Sequence, residues 1–292
     1  MELIKTVLSV PGNRENMIEK SQQLNADVIV LDLEDSVPYQ EKARARNIVR
    51  EWLPRLTGNG SKTYVRINPL DGGMAREDMD AVTIPELDGI SQPKPSTGRD
   101  IAEVDALLTR LEKERGIAEG HVKMLPWIET AKGLINAYEI AGASPRIVGV
   151  IFGANDLVLE TGMIRSEEGT ELLYPRTKVV IAARAAGVLA IDTPFNDFKD
   201  EDGLINEADL ARKLGFDGKF IIHPSQIETV ARIFCPTEDE VAHATRVLTA
   251  FEEATAKGFA SASLEGKMID IPIAQRALKI ILLAKNMLHR EK

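Results

Sequence analysis

The segment ADVIVLDLEDSV, residues 26–37, sets three carboxylates, Asp32, Glu34 and Asp35, at the end of an uninterrupted apolar run. Carboxylates this close repel and raise one another's pKa unless a cation sits among them. Arg66, in the stretch TYVRIN, is one such partner. Its guanidinium suits bidentate capture of a carboxylate, stabilisation of a developing oxyanion, or a structural salt bridge to Asp32 or Glu34. Glu129 in PWIET and Asp156 in FGAND add two further carboxylates. One or two protein carboxylates completed by water and substrate oxygens is how Mg²⁺ is usually held. The competing reading of Glu129 is a helix cap or a local pair with Lys132. The four histidines are scattered and one cysteine cannot build a thiolate cluster, so a zinc site is not expected. Mg²⁺ and Arg66 are then the positive partners. Asp32 and Glu34 would accept hydrogen bonds from metal-bound water and hold Arg66 in place.

Such residues need elements to bring them together. Eight short apolar runs fit strands: Thr6–Val10, Val28–Asp32, Thr63–Ile67, Asp88–Ser91, Lys123–Ile128, Val148–Phe152, Val188–Asp192 and Lys219–Ile222. Amphipathic stretches alternate with them, among them NRENMIEKSQQL, RDIAEVDALLTRLEKERG and RTKVVIAARAAG, the last ending at Gly187. Strand–helix alternation repeated eight times predicts a (β/α)₈ barrel, with a doubly wound open sheet as the alternative. No G-x-G-x-x-G turn follows the first strand, which favours the barrel. Barrel chemistry sits at the C-terminal strand ends. Those ends read VPGNR, DLED, VRIN, PK (Pro93 and Lys94), PWIET, FGANDL, IDTPF (with Asp192) and IIHPSQ. Glu129 and Asp156 end consecutive strands, about 4.8 Å apart, so their carboxylates can converge.

The barrel is expected over residues 1–235. Residues 236–292 are expected to form a helical extension and lid, with a helix from Glu238 to Lys257, a hinge from Gly258 to Ser263 and an amphipathic helix from Ile273. That last helix carries an apolar stripe at Ile273, Ala277, Ile280, Ile281 and Ala284, which predicts burial against another subunit. The 292 residues are 44% hydrophobic and 28% charged, an ordinary globular composition. A net charge of −9 argues against nucleic acid or an anionic membrane as partner. No apolar run is long enough to span a bilayer, and the N-terminus lacks a signal-peptide pattern. The single cysteine, Cys235, cannot form an intrachain disulfide, in keeping with the cytoplasm.

Taken in order, SVPGNRENMIEK, VLDLEDSV, KARAR, VRINP, PWIETAKGL, FGANDL, FIIHPSQI and GKMIDIP span residues 9–272. Together they resemble the citrate lyase β-subunit-like family of the HpcH/HpaI aldolases, which includes malyl-CoA and citramalyl-CoA lyases. The resemblance implies a (β/α)₈ TIM barrel with a C-terminal lid, a Mg²⁺ cofactor and reversible carbon–carbon cleavage of a β-hydroxyacyl-CoA. Its products would be acetyl-CoA and a 2-oxo acid, pyruvate or glyoxylate. It implies metal ligation at Glu129 and Asp156 and oxo-acid contact at Arg66, with Asn155 beside it and Asp32 and Glu34 in the catalytic group. Arg14, Lys20, Ile222 and His223 correspond to the CoA-binding region. Asp270 in MIDIP corresponds to a lid acid that moves a proton at the thioester α-carbon in a neighbouring subunit, and the expected assembly is a trimer or a multiple of it. Alternatives are a citrate lyase β subunit acting on citryl-acyl-carrier protein, a CoA-independent pyruvate aldolase, and an inactive barrel serving as a binding protein.

Overall fold

Runs rich in Val, Ile and Leu become the strands of one sheet. The computed structural model describes residues 3–58, 60–166 and 168–288. Its strands are β1 (Thr6–Pro11), β2 (Val28–Asp32), β3 (Lys62–Arg66), β4 (Gly89–Ser91), β5 (Lys123–Met124), β6 (Trp127–Ile128), β7 (Gly149–Phe152), β8 (Leu189–Asp192) and β9 (Gly218–Ile221). They form a curled parallel sheet in the order β5-β4-β3-β2-β1-β9-β8-β7-β6. The fold is α/β and TIM-barrel-like.

The expected strand Lys123–Ile128 is split in two, because Pro126 has no N–H to give a ladder. Both halves still pair. The Leu125 N–H donates to the Ile90 carbonyl at 2.9 Å, and the Ile151 N–H donates to the Pro126 carbonyl at 2.9 Å. The two ends of the sheet order are therefore halves of one segment, one pairing with β4 and the other with β7. At the fourth strand, Asp88 stays outside. Its carboxylate accepts the Thr63 N–H at 2.8 Å and binds Lys62 Nζ at 3.1 Å.

Side chains alternate across a strand with period two, and this alternation builds the site. Val7, Val28, Val30, Tyr64, Leu125, Trp127, Ile151, Leu189, Ile191 and Phe220 belong to one buried cluster. Trp127 and Phe220 meet edge to face, with ring centroids 4.7 Å apart. Two residues further along the same faces stand Ser9, Asp32, Arg66, Glu129, Gly153, Thr193 and Ile222. The apolar floor and the chemical layer above it are one periodic set.

Helices flank the sheet. Gly98–Glu114 starts in a capping box between Thr97 and Asp100. Leu173–Ala186 ends at Gly187, whose φ of 76° is a left-handed stop. No helix among the described residues is long and apolar enough to cross a membrane.

The chain divides into two compact units, one up to Ala231 and one from Arg232. In the second, the helices Glu238–Ala256 and Ile271–Leu288 enclose a small core. Ala244, Val247, Ile269, Ala274 and Ala277 are buried there, with Ile280 and Ile281 packed against them. Much of the expected subunit-facing stripe is thus covered within its own unit, while Ile273 is 42% exposed. The expected hinge is in part a hairpin, β10 (Ala262–Leu264) with β11 (Lys267–Ile269). Its turn residues Glu265 and Gly266 both have positive φ, as tight hairpin turns require.

Candidate active site

Asp32 ends β2 fully buried, and its carboxylate is completely engaged. It accepts Arg66 Nε at 2.7 Å and Nη2 at 2.7 Å, a bidentate pair, together with the backbone N–H groups of Glu34 at 2.8 Å and Ser36 at 3.0 Å. Burial opposes ionisation here, but Arg66 and these donors outweigh it and hold the Asp32 carboxyl below its ordinary value. Arg66 Nη1 lies 3.1 Å from Glu34 Oε2 and 3.9 Å from Asp35 Oδ2. Burial works against the guanidinium charge, yet these carboxylates lift the Arg66 pKa above normal. The guanidinium also lies over the Trp127 ring, 5.3 Å from its centroid. The salt-bridge reading of Arg66 is the one this arrangement shows: one edge of the guanidinium is a structural clamp on Asp32. On the other edge, Nη1 is met by Glu34.

Glu129 is buried, and its Oε1 accepts the Lys94 backbone N–H at 2.9 Å. It does not cap the following helix. Thr130 does, accepting the Gly133 N–H at 3.0 Å. Burial, then the charges of Glu34 and Asp156, push the Glu129 carboxyl up to about 8. Gly153 makes room for it, since a Cβ at Gly153 would run into the Glu129 side chain, 2.6 Å from Oε2. Asp156 stands in the first turn of the helix Ala154–Thr161. That helix is tied to the end of β8 by the Ala154 N–H, which donates to Thr193 Oγ1 at 3.0 Å.

Lys94 was legible only as a charged strand end without a role. Its ammonium lies 3.0 Å from Glu34 Oε1 and 3.2 Å from Asp156 Oδ1. Glu34, raised mainly by burial, is partly offset by Arg66 and Lys94. Lys94 is itself raised: burial opposes its charge, but Glu34 and Asp156 prevail.

Asp32, Arg66, Glu129 and Asp156 line a cavity of about 380 Å³, together with Ser9, Trp127, Asn155, Thr193, Asn196, Phe220 and Ile222 among others. Asn155 is exposed, with its Oδ1 3.4 Å from Asn196 Nδ2. Arg14 and Lys20 lie elsewhere, exposed at the start and last turn of the helix Glu15–Ser21. His223 follows Ile222 but is turned to Phe198, stacked at a centroid distance of 4.6 Å, with Nδ1 2.8 Å from Ser225 Oγ. Asp270, in the second unit, accepts the Ile273 N–H at 3.2 Å at the start of its helix.

The charged end at Asp192 belongs to the opposite face. Its carboxylate binds Arg176 Nε at 2.9 Å and Lys219 Nζ at 2.7 Å, and Lys219 also reaches Glu207 at 2.6 Å. Asp192 is one residue out of step with Thr193, so the pleat turns it away from the cavity.

The donor set fits a hard divalent cation. Glu129 and Asp156 both face the cavity. No group of three metal-ligating side chains converges among the described residues. Two carboxylates with space for water and ligand oxygens is a Mg²⁺-type arrangement, and it differs from an all-protein cage.

Known proteins bear on this geometry directly. The sequence model of the HpcH/HpaI aldolase/citrate lyase family matches residues 5–224. The chain belongs to this family. It is 41% identical over 282 residues to the citrate lyase subunit beta of Leuconostoc mesenteroides subsp. cremoris, covering 97% of this chain and 93% of that one. It is 36% identical over 266 residues to a (3S)-malyl-CoA thioesterase of Cereibacter sphaeroides, covering 91% and 89%. The crystal structure of the protein CitE from Mycobacterium tuberculosis in complex with magnesium, acetoacetate and coenzyme A superimposes with a TM-score of 0.80. Its identity is 30%, with 97% of this chain and 98% of that one covered. As a member of this family the chain is a lyase-type enzyme, and its cavity is the place to seek the chemistry.

Proposed function

We propose that the enzyme is a Mg²⁺-dependent carbon–carbon lyase that cleaves, or forms, a β-hydroxyacyl thioester, giving a 2-oxo acid and an acetyl thioester. The carrying observation is that Asp32-clamped Arg66, Glu129 and Asp156 face one cavity. In this reading the sheet is a (β/α)₈ barrel and residues from 236 onward supply a lid.

Glu129 and Asp156 would hold the Mg²⁺, which when bound polarises the substrate's hydroxyl and carboxylate oxygens. Arg66 binds the carboxylate of the oxo-acid half through the edge that Asp32 leaves free, and stabilises negative charge as the carbon–carbon bond breaks. Asp32 keeps the guanidinium aimed. The substrate hydroxyl gives up its proton to solvent as its carbon becomes the oxo-acid carbonyl. The electron pair of the broken carbon–carbon bond stays on the thioester α-carbon, and Asp270 of a neighbouring subunit, as general acid, protonates that carbon. In the condensing direction the same carboxylate removes the proton. Arg14, Lys20, Ile222 and His223 are assigned to the thioester arm, and of these Ile222 lines the cavity.

Within this class the likeness to the Leuconostoc citrate lyase subunit beta, over 97% of the chain, favours a citryl thioester on acyl-carrier protein or CoA, with oxaloacetate as the oxo acid. Citramalyl-CoA and malyl-CoA remain the other thioesters to test. The Cereibacter relative supports a second reading, hydrolysis of a malyl thioester.

One assay separates these readings. Purified protein is given citryl, citramalyl and malyl thioesters and the free hydroxy acids, each with Mg²⁺ or excess chelator. Metal-dependent release of oxo acid from a thioester is expected. Release of free hydroxy acid and thiol would identify a hydrolase, cleavage without a thioester would identify an aldolase, and turnover in chelator would remove the metal from the reading.

A further inference from the structure

Lys94 is joined to three carboxylates at once. Its ammonium lies 3.0 Å from Glu34 Oε1 and 3.2 Å from Asp156 Oδ1, and its main-chain N–H donates to Glu129 Oε1 at 2.9 Å. The backbone is bent to allow it. Lys94 has a φ of 54°, and among the described residues only Glu265 shares a positive φ without being glycine. Pro93 and Pro95 flank it. A lysine held in a left-handed conformation costs free energy that neighbouring structure must supply, and such strain gathers at functional sites.

The two kinds of contact act in opposite senses on a cation. The main-chain N–H fixes Glu129 in place. The ammonium sits on a carboxylate oxygen of Asp156, so a metal on Glu129 and Asp156 has a positive neighbour within a few ångströms of their shared ligand. At that range, in a partly buried site, like charges repel strongly. We infer that Lys94 is a positioning residue that aims the Glu129 and Asp156 carboxylates while its ammonium limits how tightly they hold a divalent metal. It rests on the reading of Glu129 and Asp156 as the metal carboxylates. Firm metal retention then requires anionic substrate oxygens, which couples cation binding to substrate binding.

The test is Mn²⁺ binding to the chelator-treated protein, by calorimetry and by the electron-spin signal of free Mn²⁺, with no turnover needed. Lys94→Met keeps the main-chain donor and removes the charge, and it is expected to bind Mn²⁺ at least tenfold more tightly than wild type. Its metal-free melting temperature should fall, because Glu34 and Asp156 lose their shared cation, and Mn²⁺ should restore it. Lys94→Arg keeps the charge and should return the affinity to within a fewfold of wild type. Lys94→Gln, which retains a hydrogen-bond donor, replaces the Met variant if that protein does not fold. A merely structural role would lower the melting temperature without tightening the metal. Equal or weaker Mn²⁺ binding in the uncharged variants, with wild type binding normally, would overturn the inference and leave the metal site standing. Failure of wild type and variants alike to bind Mn²⁺ would overturn both.

Discussion

At the residue scale the site turns on a division of labour within one guanidinium. Asp32 takes Nε and Nη2 of Arg66, both at 2.7 Å, and Nη1 is met by Glu34. A lysine at this position cannot hold Asp32 bidentately and still present a donor to substrate. Arg66→Lys is therefore expected to lose on the order of a hundredfold or more in kcat/KM, the scale of removing a charge-stabilising donor. Steady-state kinetics alongside circular dichroism checks this, and near-wild-type turnover would assign Arg66 to structure alone. A pair between Arg66 and Asp32 or Glu34 could be read from sequence because they stand at the ends of adjacent strands, and the structure gives the bidentate contact to Asp32. Lys94 could not, since its contacts depend on a left-handed backbone between two prolines.

At the element scale, strand ends separate by pleat into a cavity face and a helix face. Gly153 sits on the cavity face, against Glu129. Gly153→Ala is expected to displace that carboxylate, destabilise the fold by about 1–3 kcal/mol and weaken Mn²⁺ binding. Unchanged metal affinity in titration would refute the steric account. Asp192 sits on the other face between Arg176 and Lys219. Burial opposes its ionisation, but Lys219 and Arg176 win and hold it below its ordinary 3.8. A depressed carboxyl adds stability above its unfolded pKa and loses it as pH falls through the folded value. Asp192→Asn leaves two buried cations short of a partner and is expected to cost about 3–5 kcal/mol at neutral pH. That difference should be constant above about pH 4 and shrink below it. Urea titrations at several pH values measure it, and a gap that widened in acid would contradict the sign.

At the scale of the whole molecule, the proposed lid acid lies in the second compact unit. Met268, Ile271, Ile273, Leu278 and Leu282 leave apolar surface exposed there. If Asp270 serves a neighbour's cavity, mixing Asp270→Ala with Glu129→Ala, each inactive alone, should restore part of the activity once subunits exchange. Each hybrid site could draw its metal carboxylates from one chain and its acid from the other. No recovery in verified mixed oligomers would mean that Asp270 acts on its own chain or has no role in the reaction.

Much of this was written in the one-dimensional pattern. Apolar runs at regular spacing determined the parallel α/β architecture, and most of the charged residues closing those runs marked the end of the sheet where the candidate site lies. Asp32, Arg66, Glu129 and Asp156 were legible because each sits within or just beyond a strand whose place in the sheet follows from chain order. Tertiary structure alone decided the rest. Period two makes a single residue the difference between cavity and helix layer, so Thr193 faces the site while Asp192 is a buried structural ion. Pro126 splits a strand that composition reads as continuous. Ala277, Ile280 and Ile281 of the stripe on the last helix find cover in their own unit, through the turn at Glu265 and Gly266 and the helix Glu238–Ala256. Strand runs and their ends are local and survive in sequence. Side-chain direction, backbone strain and the partner of each charge arise only when distant segments pack.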